Sequence, residues 1–509
     1  MQEKKQDGTE NKESNFVFNV SVIAIILLAL FGVFQNKLYG QVMSAAFDWI
    51  CQYFNWYLVL IITFYIIFML FIAFSRYGKI KLGPDDSKPE FKTFSWLAML
   101  FSAGMGSGLV FFGVAEPAYH FMCPPLGVTP QSVQAAELAM QLSFLHWGCH
   151  PWAIYGITAM ALGYFSMRKN KPMLIGNFVE PLFKENSALG DFTAKCIDSL
   201  MVIVTAVGIA SPLGVASSQL SAGIAKYFNI PQSVWLAQIA LAVMAILFIY
   251  TAVSGLNKGI RYIADLNVYL AIAICAFLLL FGPTLKLLQV FTSSLGQYVA
   301  TLPDWSLRLS PWDQAFDTWQ RSWTILYWLW WLAWGPLCGV FFARISYGRT
   351  MRELAAGILV APPLGSFAWM TIFGGNAIDI IIKNPACNLA NDSVNNMTMA
   401  LWDLLEMFPL SAITIPLCML LVVTFLVTSA NSGTFVVSML SSNGIKEPSK
   451  KKLFTWGVLM TVIASATLFA GDFRGPLRLS GAIAFFYSLV TLFMAYALIK
   501  GMSAEFEKK

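Results

Sequence analysis

The chain alternates long apolar runs with short polar interruptions. FVFNVSVIAIILLALFGVF (16–34) and NWYLVLIITFYIIFMLFIAFS (55–75) reach the ~20 apolar residues that carry a helix across a hydrocarbon layer. The pattern predicts twelve such spans, at 16–34, 55–75, 93–121, 139–165, 197–225, 232–254, 263–291, 323–344, 351–374, 410–437, 453–470 and 480–499. An amphipathic stretch, 292–320, separates the seventh from the eighth. The first span is too long for a secretory leader and lacks a small-residue cleavage site, so it reads as a retained helix. The expected fold is an all-α polytopic membrane protein.

Composition agrees: 57% of the 509 residues are hydrophobic and 12% charged, about half the charge of a soluble domain. Charge placement then orients the chain. With the N-terminus in the cytoplasm, only Lys37, Lys226, Lys286, Arg308, Arg321, Lys383, Arg474 and Arg478 of the 33 basic residues fall in outer loops. This bias satisfies the positive-inside rule, with both tails (1–15 and 500–509) cytoplasmic and the plasma (bacterial inner) membrane as the expected location. The net charge of +6 is thus a topology signal and calls for no nucleic-acid partner. The eight cysteines form no CxxC pair and read as small apolar residues. His146 and His150 stand four apart on one predicted helix and could share a ligand. With only His120 besides, packing or capping is the expectation and a metal is not.

Residues 323–336, WTILYWLWWLAWGP, hold five tryptophans and a tyrosine. On a helix Trp323, Tyr327, Trp331 and Trp334 form one face, with Trp328 and Trp330 pointing elsewhere. An interfacial belt needs a turn or two at each end of a span; this face runs about three turns, roughly 16 Å. In HWGCHPWAIY (146–155), Trp147, Trp152 and Tyr155 share a side, and Pro151 bends the backbone among them.

Two spans carry features that a lipid-facing helix avoids. SAGMGSGLVFFGVAEP (102–117) places Gly104, Gly106 and Gly108 in mid-span, where a ligand could approach the backbone or a GxxxG face could pack. Freed N–H and C=O groups are tolerable at that depth only inside protein or along a polar cavity. Glu116 follows at the outer end, where an acid is either a functional group or, as the safer reading, a helix-end carboxylate near solvent. In FLVTSANSGT (425–434), Thr428, Ser429, Ser432 and Gly433 interrupt an apolar run. Those hydroxyls either back-bond to their own helix or, beside carbonyls freed by a helix break, suit a hard cation. Spans three to seven and eight to twelve make two five-span blocks, consistent with an inverted repeat and a site near the midplane.

A methylated ammonium has no N–H to donate, and aromatic faces hold it at about 0.5–2 kcal/mol each. Spans four and eight have no acid in their middles, which favours a substrate carrying its own carboxylate. The intramembrane acids and histidines make no nucleophile–base pair or metal cluster in sequence, so no enzyme is expected; a channel would need these bulky rings to line an open path.

GMGSGLVFFGVAEP, FLHWGCHPWAIY, WTILYWLWWLAWGPLCGVFFARISYGRTMREL and FLVTSANSG occur in order from about residue 90 to 440 and closely resemble the betaine/carnitine/choline transporter (BCCT) family. The resemblance implies twelve transmembrane helices: two extra helices (16–75), then a LeuT-like five-plus-five inverted repeat (93–291 and 323–499). It also implies a surface helix at 292–320 and a homotrimer in the lipid bilayer. The family's substrate cage falls on Trp147, Trp152, Tyr155 and Trp331, with Trp334 at a neighbouring gate and Gly104, Gly106 and Gly108 approaching the substrate. Its sodium site falls on Ser102, Met105, Phe425, Thr428 and Ser429, with Thr205 a weak candidate for a second. No cofactor is implied beyond Na⁺ as coupling ion. Gly108 stands where choline-carrying, proton-coupled members have an acid, and Asn267 where sodium-independent carnitine exchangers have an arginine. Both departures favour Na⁺ symport of glycine betaine or a similar zwitterion, with H⁺-coupled choline uptake or carnitine/butyrobetaine exchange as alternatives. Asn431 replaces a common Asp without an evident consequence. The short tails argue against regulation by a basic tail.

Overall fold

A computed structural model describes residues 15–104, 106–183, 187–255, 257–445, 447–470 and 474–507. Met105, one of the expected sodium ligands, lies outside the described residues. The described chain is helical throughout, apart from turns and one isolated bridge between Lys81 and Thr350. Its helices are α1 (Phe16–Phe34), α2 (Asn36–Phe74), α3 (Thr93–Gly104), α4 (Ser107–Met122), α5 (Val133–Trp147), α6 (Cys149–Leu162), α7 (Ala188–Phe228), α8 (Val234–Ser254), α9 (Asn257–Phe281), α10 (Thr284–Leu307), α11 (Gln314–Gln320), α12 (Leu326–Ile345), α13 (Met351–Lys383), α14 (Asn388–Asn395), α15 (Ala400–Glu406), α16 (Ser411–Leu440), α17 (Lys450–Phe469) and α18 (Gly475–Glu507). Hydroxyl caps start several of them: Ser132, Ser187, Ser233 and Ser449 each accept a first-turn N–H, and Thr350 with Glu353 closes a capping box on α13.

Ten described helices are long and apolar enough to cross a membrane, and α3 with α4 makes an eleventh if that pair, bent by 68°, is one span. The predicted span 139–165 is instead two shorter helices interrupted at Gly148. Span seven ends earlier than expected, because Gly282 and Pro283 stop α9 at Phe281 and start α10. α10 also does more than lie on a surface. Tyr298 and Trp305 are buried, and the Tyr298 hydroxyl accepts the Cys149 N–H at 2.8 Å, capping the first turn of α6. The expected break in span ten is absent: α16 is continuous. Thr428 donates to its own helix, with Thr424 O at 3.0 Å and Phe425 O at 2.9 Å, so no carbonyl need be freed there.

Burial ranks the helices. In the most apolar window, 89% of residues are buried for α7 and for the Gln314–Ile345 segment containing α12, against 28% for α1 and 22% for α9. α7 and α12 are therefore the centre, and α1, α8 and α9 the rim. The aromatic stripe is no interfacial belt, since Trp328, Trp330 and Trp331 are buried in protein; Trp49, Tyr53 and Trp56 on α2 are among the exposed aromatics. Both ends of the described chain reach one face, where Phe16 meets Phe192 at the start of α7 and Glu505 pairs with Arg168 beyond α6. α18 thus stays helical into the stretch expected to be a tail.

α7 and α12 cross so closely that a Cβ at Gly208 would lie 2.6 Å from the Ala333 carbonyl oxygen. Gly208→Ala is expected to cost about 1–3 kcal/mol by overpacking, seen as a lower apparent Tm of the purified protein.

Candidate functional site

Aromatic side chains succeed one another along α12 through the middle of the bundle, and Trp331 is their hub. Its ring centroid lies 5.4 Å from Trp147, 5.7 Å from Trp152 and 5.2 Å from Tyr155. The four rings proposed from sequence thus meet, from α5, α6 and α12, and all are buried. The interruption at Gly148 makes this possible: it ends α5 at Trp147 and restarts the chain so that Trp152 and Tyr155 reach the same ring. Trp147, Tyr155, Trp331 and Trp334 line a pocket with Gly104, Gly106 and Gly108, while Trp152 stands against Gly104. Gly104 and Gly108 therefore pack on indoles and Gly106 faces the Ser429 hydroxyl, so none of the three packs on another helix backbone. A Cβ at Gly108 would lie 2.5 Å from Trp330.

The pocket is small, with a cavity of about 30 Å³, room for about two waters. A cation held by ring faces sits within about 6 Å of each centroid, a spacing these rings already allow, but a space of two waters is too small for a methylated head group, so the lining has to move to admit one. No charged side chain appears in the lining, but the indole nitrogens of Trp152, Trp330, Trp331 and Trp334 are buried donors without a partner. Each such group carries a desolvation penalty of about 1–3 kcal/mol until something accepts from it.

Toward the face that carries the chain ends, a larger cavity of about 250 Å³ begins beyond Trp334, which lines both spaces. Ser102, Phe425, Thr428 and Ser429 share its wall, so the described part of the predicted sodium set is brought together. Asn267 adds to it. Its Nδ2 donates to Thr428 Oγ1 at 3.2 Å, and its Oδ1 is buried without a donor. Thr205 back-bonds to Met201 O at 2.7 Å and shows no sign of a second ion site.

On the opposite side of the cage the sequence reading needs correction. Glu116 is fully buried rather than near solvent. Its Oε1 lies 2.6 Å from His146 Nδ1, and its Oε2 accepts from Trp147 Nε1 at 2.9 Å and from Tyr327 Oη at 2.6 Å. His120 Nε2 is 3.7 Å from Oε1, so Glu116, His120 and His146 form a cluster, contrary to expectation. The physical reason is saturation: a buried carboxylate needs several donors, and α4, α5 and α12 converge to supply them. His146 and His150 share nothing. Gly148 puts them on different helices, and His150 bonds Ser306 Oγ at 2.8 Å and stacks on Trp328.

Trp330, assigned away from the functional face, lines the pocket and approaches Trp147 at 6.4 Å. Adjacent residues on a helix are only 100° apart, so a pocket as wide as this one takes both Trp330 and Trp331. Pro212 of α7 also lines it; a proline inside an apolar span was the available signal.

The sequence pattern of the BCCT, betaine/carnitine/choline family transporters, matches residues 16–507. Among similar proteins, glycine betaine transporter OpuD of Bacillus subtilis (strain 168) is 38% identical over 97% of this chain and 95% of its own length. The "Probable glycine betaine transporter" of Desulfitobacterium hafniense (strain Y51) is 39% identical over 98% and 99%. The ectoine/hydroxyectoine transporter of Virgibacillus pantothenticus is 35% identical over 97% and 98%.

Ser102 is exposed to the larger cavity, whereas Ser107, only five residues on, is buried against the cage. In a background whose native cysteines are replaced, Ser102→Cys should react with a water-soluble maleimide and Ser107→Cys should not. Equal labelling would contradict this arrangement.

Proposed function

We propose that this chain, which belongs to the betaine/carnitine/choline transporter family, imports glycine betaine or a close trimethylammonium zwitterion by Na⁺ symport. Members of the family are multi-pass membrane transporters and not enzymes. One observation carries the substrate reading: four ring faces meet at Trp331 beside four buried indole N–H groups that lack acceptors. Faces suit the methylated ammonium, and orphan donors suit the carboxylate of the same molecule. Choline would leave the donors unmet. It would also call for an acid near Gly108, where Trp330 already occupies the space.

The coupling reading is supported by the donor chemistry on the larger cavity. Sodium is a hard cation that takes oxygen ligands, and the hydroxyls of Thr428 and Ser429, the Phe425 carbonyl and the unpartnered Asn267 Oδ1 are oxygens sharing one wall. An arginine in place of Asn267 would supply a fixed cation and remove the need for sodium.

In this reading α5 and α6 count as one span broken at Gly148, which completes twelve, arranged as two helices followed by five plus five. Substrate binding closes the cage, and rocking of the two repeats exposes it to each side in turn. Both termini are cytoplasmic, in the plasma membrane, and the assembly is a homotrimer.

Proteoliposomes loaded with K⁺ should accumulate labelled glycine betaine when a Na⁺ gradient is imposed and not when K⁺ replaces it; equal uptake in both rejects the coupling. Trp331→Leu should abolish uptake with little change in Tm, and wild-type affinity in that variant would count against the cage. Thr428→Ala should raise the half-saturating Na⁺ concentration at least about tenfold, about 1.4 kcal/mol.

A further inference from the structure

The buried cluster beside the cage has no part in the function just described. Glu116 accepts from the indole of Trp147, a cage ring, and from Tyr327 of the same helix as Trp331. A carboxylate that accepts an indole N–H pushes electron density onto the ring, and its own charge stands behind the face that a cation would meet. Removing that charge weakens the face.

A means of removing it is built in. His146 Nδ1 lies 2.6 Å from Glu116 Oε1, where an ionised carboxylate can only accept, which assigns the proton to Nδ1, and His146 Nε2 lies 2.9 Å from Thr324 Oγ1. A threonine hydroxyl can donate or accept. With imidazole neutral, Thr324 donates to Nε2; with Nε2 protonated, the hydroxyl turns and accepts. One proton is therefore taken up without breaking the network, and the pair's net charge goes from −1 to 0. His120 does not compete for this role, since Trp319 Nε1 donates to its Nδ1 at 3.4 Å and leaves Nε2–H facing Glu116.

Arg474 acts on His120 and Tyr327 as a permanent positive charge, and the acids of the neighbouring helices are engaged elsewhere. Tyr327 is the further titratable contact, and Arg474 stacks over Trp323 at 5.0 Å. Asp379 of α13 is held by Lys286 and Lys383, and Asp403 and Glu406 of α15 by Lys226 of α7. Asp392 of α14 takes the Asn391 amide, and Asp198 of α7 the Gly176 N–H. Asp304 of α10 pairs with Arg308, and Asp317 of α11 with Arg321. On α6, His150 is turned to Ser306.

We infer that Glu116 is a positioning and charge-setting residue for the aromatic cage, and that proton uptake at His146 discharges it and lowers the affinity for a cationic head group. The inference rests on the cage reading above. Acidification therefore acts as a brake on binding, through a group that never touches substrate.

The test is the Kd of glycine betaine, whose own carboxylate stays ionised throughout, measured on the intact protein in nanodiscs at saturating Na⁺ from about pH 8 to about pH 5.5. Wild type should weaken about tenfold, the order expected for a unit charge acting across one ring. His146→Asn keeps an N–H for Glu116 but has no second site for a proton. It should bind like wild type at the high end and show a flat profile, with His146→Gln as substitute if it fails to fold. Glu116→Gln should bind about tenfold more weakly and also be flat. A flat wild-type profile, or a His146→Asn profile that still falls tenfold, overturns the inference while leaving the cage intact. Inhibition by added Zn²⁺ that His146→Asn removes would make the cluster a metal site and overturn it too. Absence of betaine binding at any pH would defeat the cage reading and this inference with it.

Discussion

A backbone inside hydrocarbon has to satisfy every N–H and C=O within protein, and that requirement governs where this chain can leave helical geometry. Two such departures flank the cage among the described residues. Between Gly104 and Ser107 the span bends, and Gly104 and Gly108 on either side are covered by Trp152 and Trp330 instead of lipid. At Gly148 the Cys149 N–H is met by Tyr298 from α10. Each departure is paid for by an aromatic residue from elsewhere in the chain, so irregular backbone and ring cluster depend on one another.

The functional groups consequently fall in layers along α12. Tyr327 reaches Glu116, Trp331 gathers the cage, Trp334 separates it from the larger cavity, and beyond it Thr428 and Asn267 present oxygens. One end of this axis is closed by a buried polar network around Glu116 and the other opens on the face bearing the chain ends. The rings meanwhile sit in mutual contact. Under the proposed function these contacts loosen to admit a methylated ammonium and close again around it.

Much of this was legible beforehand. The twenty-residue period of the apolar runs marks a membrane protein because bilayer thickness imposes that length on any helix. Trp147, Trp152, Tyr155 and Trp331 stood out because indoles are otherwise spent at interfaces, and a three-turn face is too long for that. The hydroxyls of Thr428 and Ser429 share one cavity wall, and Asn267, singled out only as a departure from an arginine, lies on it too. What misled was locality. Glu116 beside Pro117 reads as a helix end, because its donors come from residues 30 and 211 positions away. His146 and His150 read as neighbours, because Gly148 is too slight a signal to announce a break. Trp330 was set aside on helical angle, although neither the width of a pocket nor the π-helical turn that precedes α12 (Arg321–Ile325) can be read from spacing.

The amino-acid sequence by itself determined the solvent this protein lives in, the number of apolar runs and the residue types available for a desolvated cation, since transfer free energies and side-chain chemistry are properties of the residues alone. Only the tertiary structure decided that a buried carboxylate would stand behind a cage ring, that the broken pair α5 and α6 would turn three rings onto Trp331, and that α16 would stay whole. Those outcomes depend on which distant helices supply a donor or a ring face, and no local pattern of polar and apolar positions contains that information.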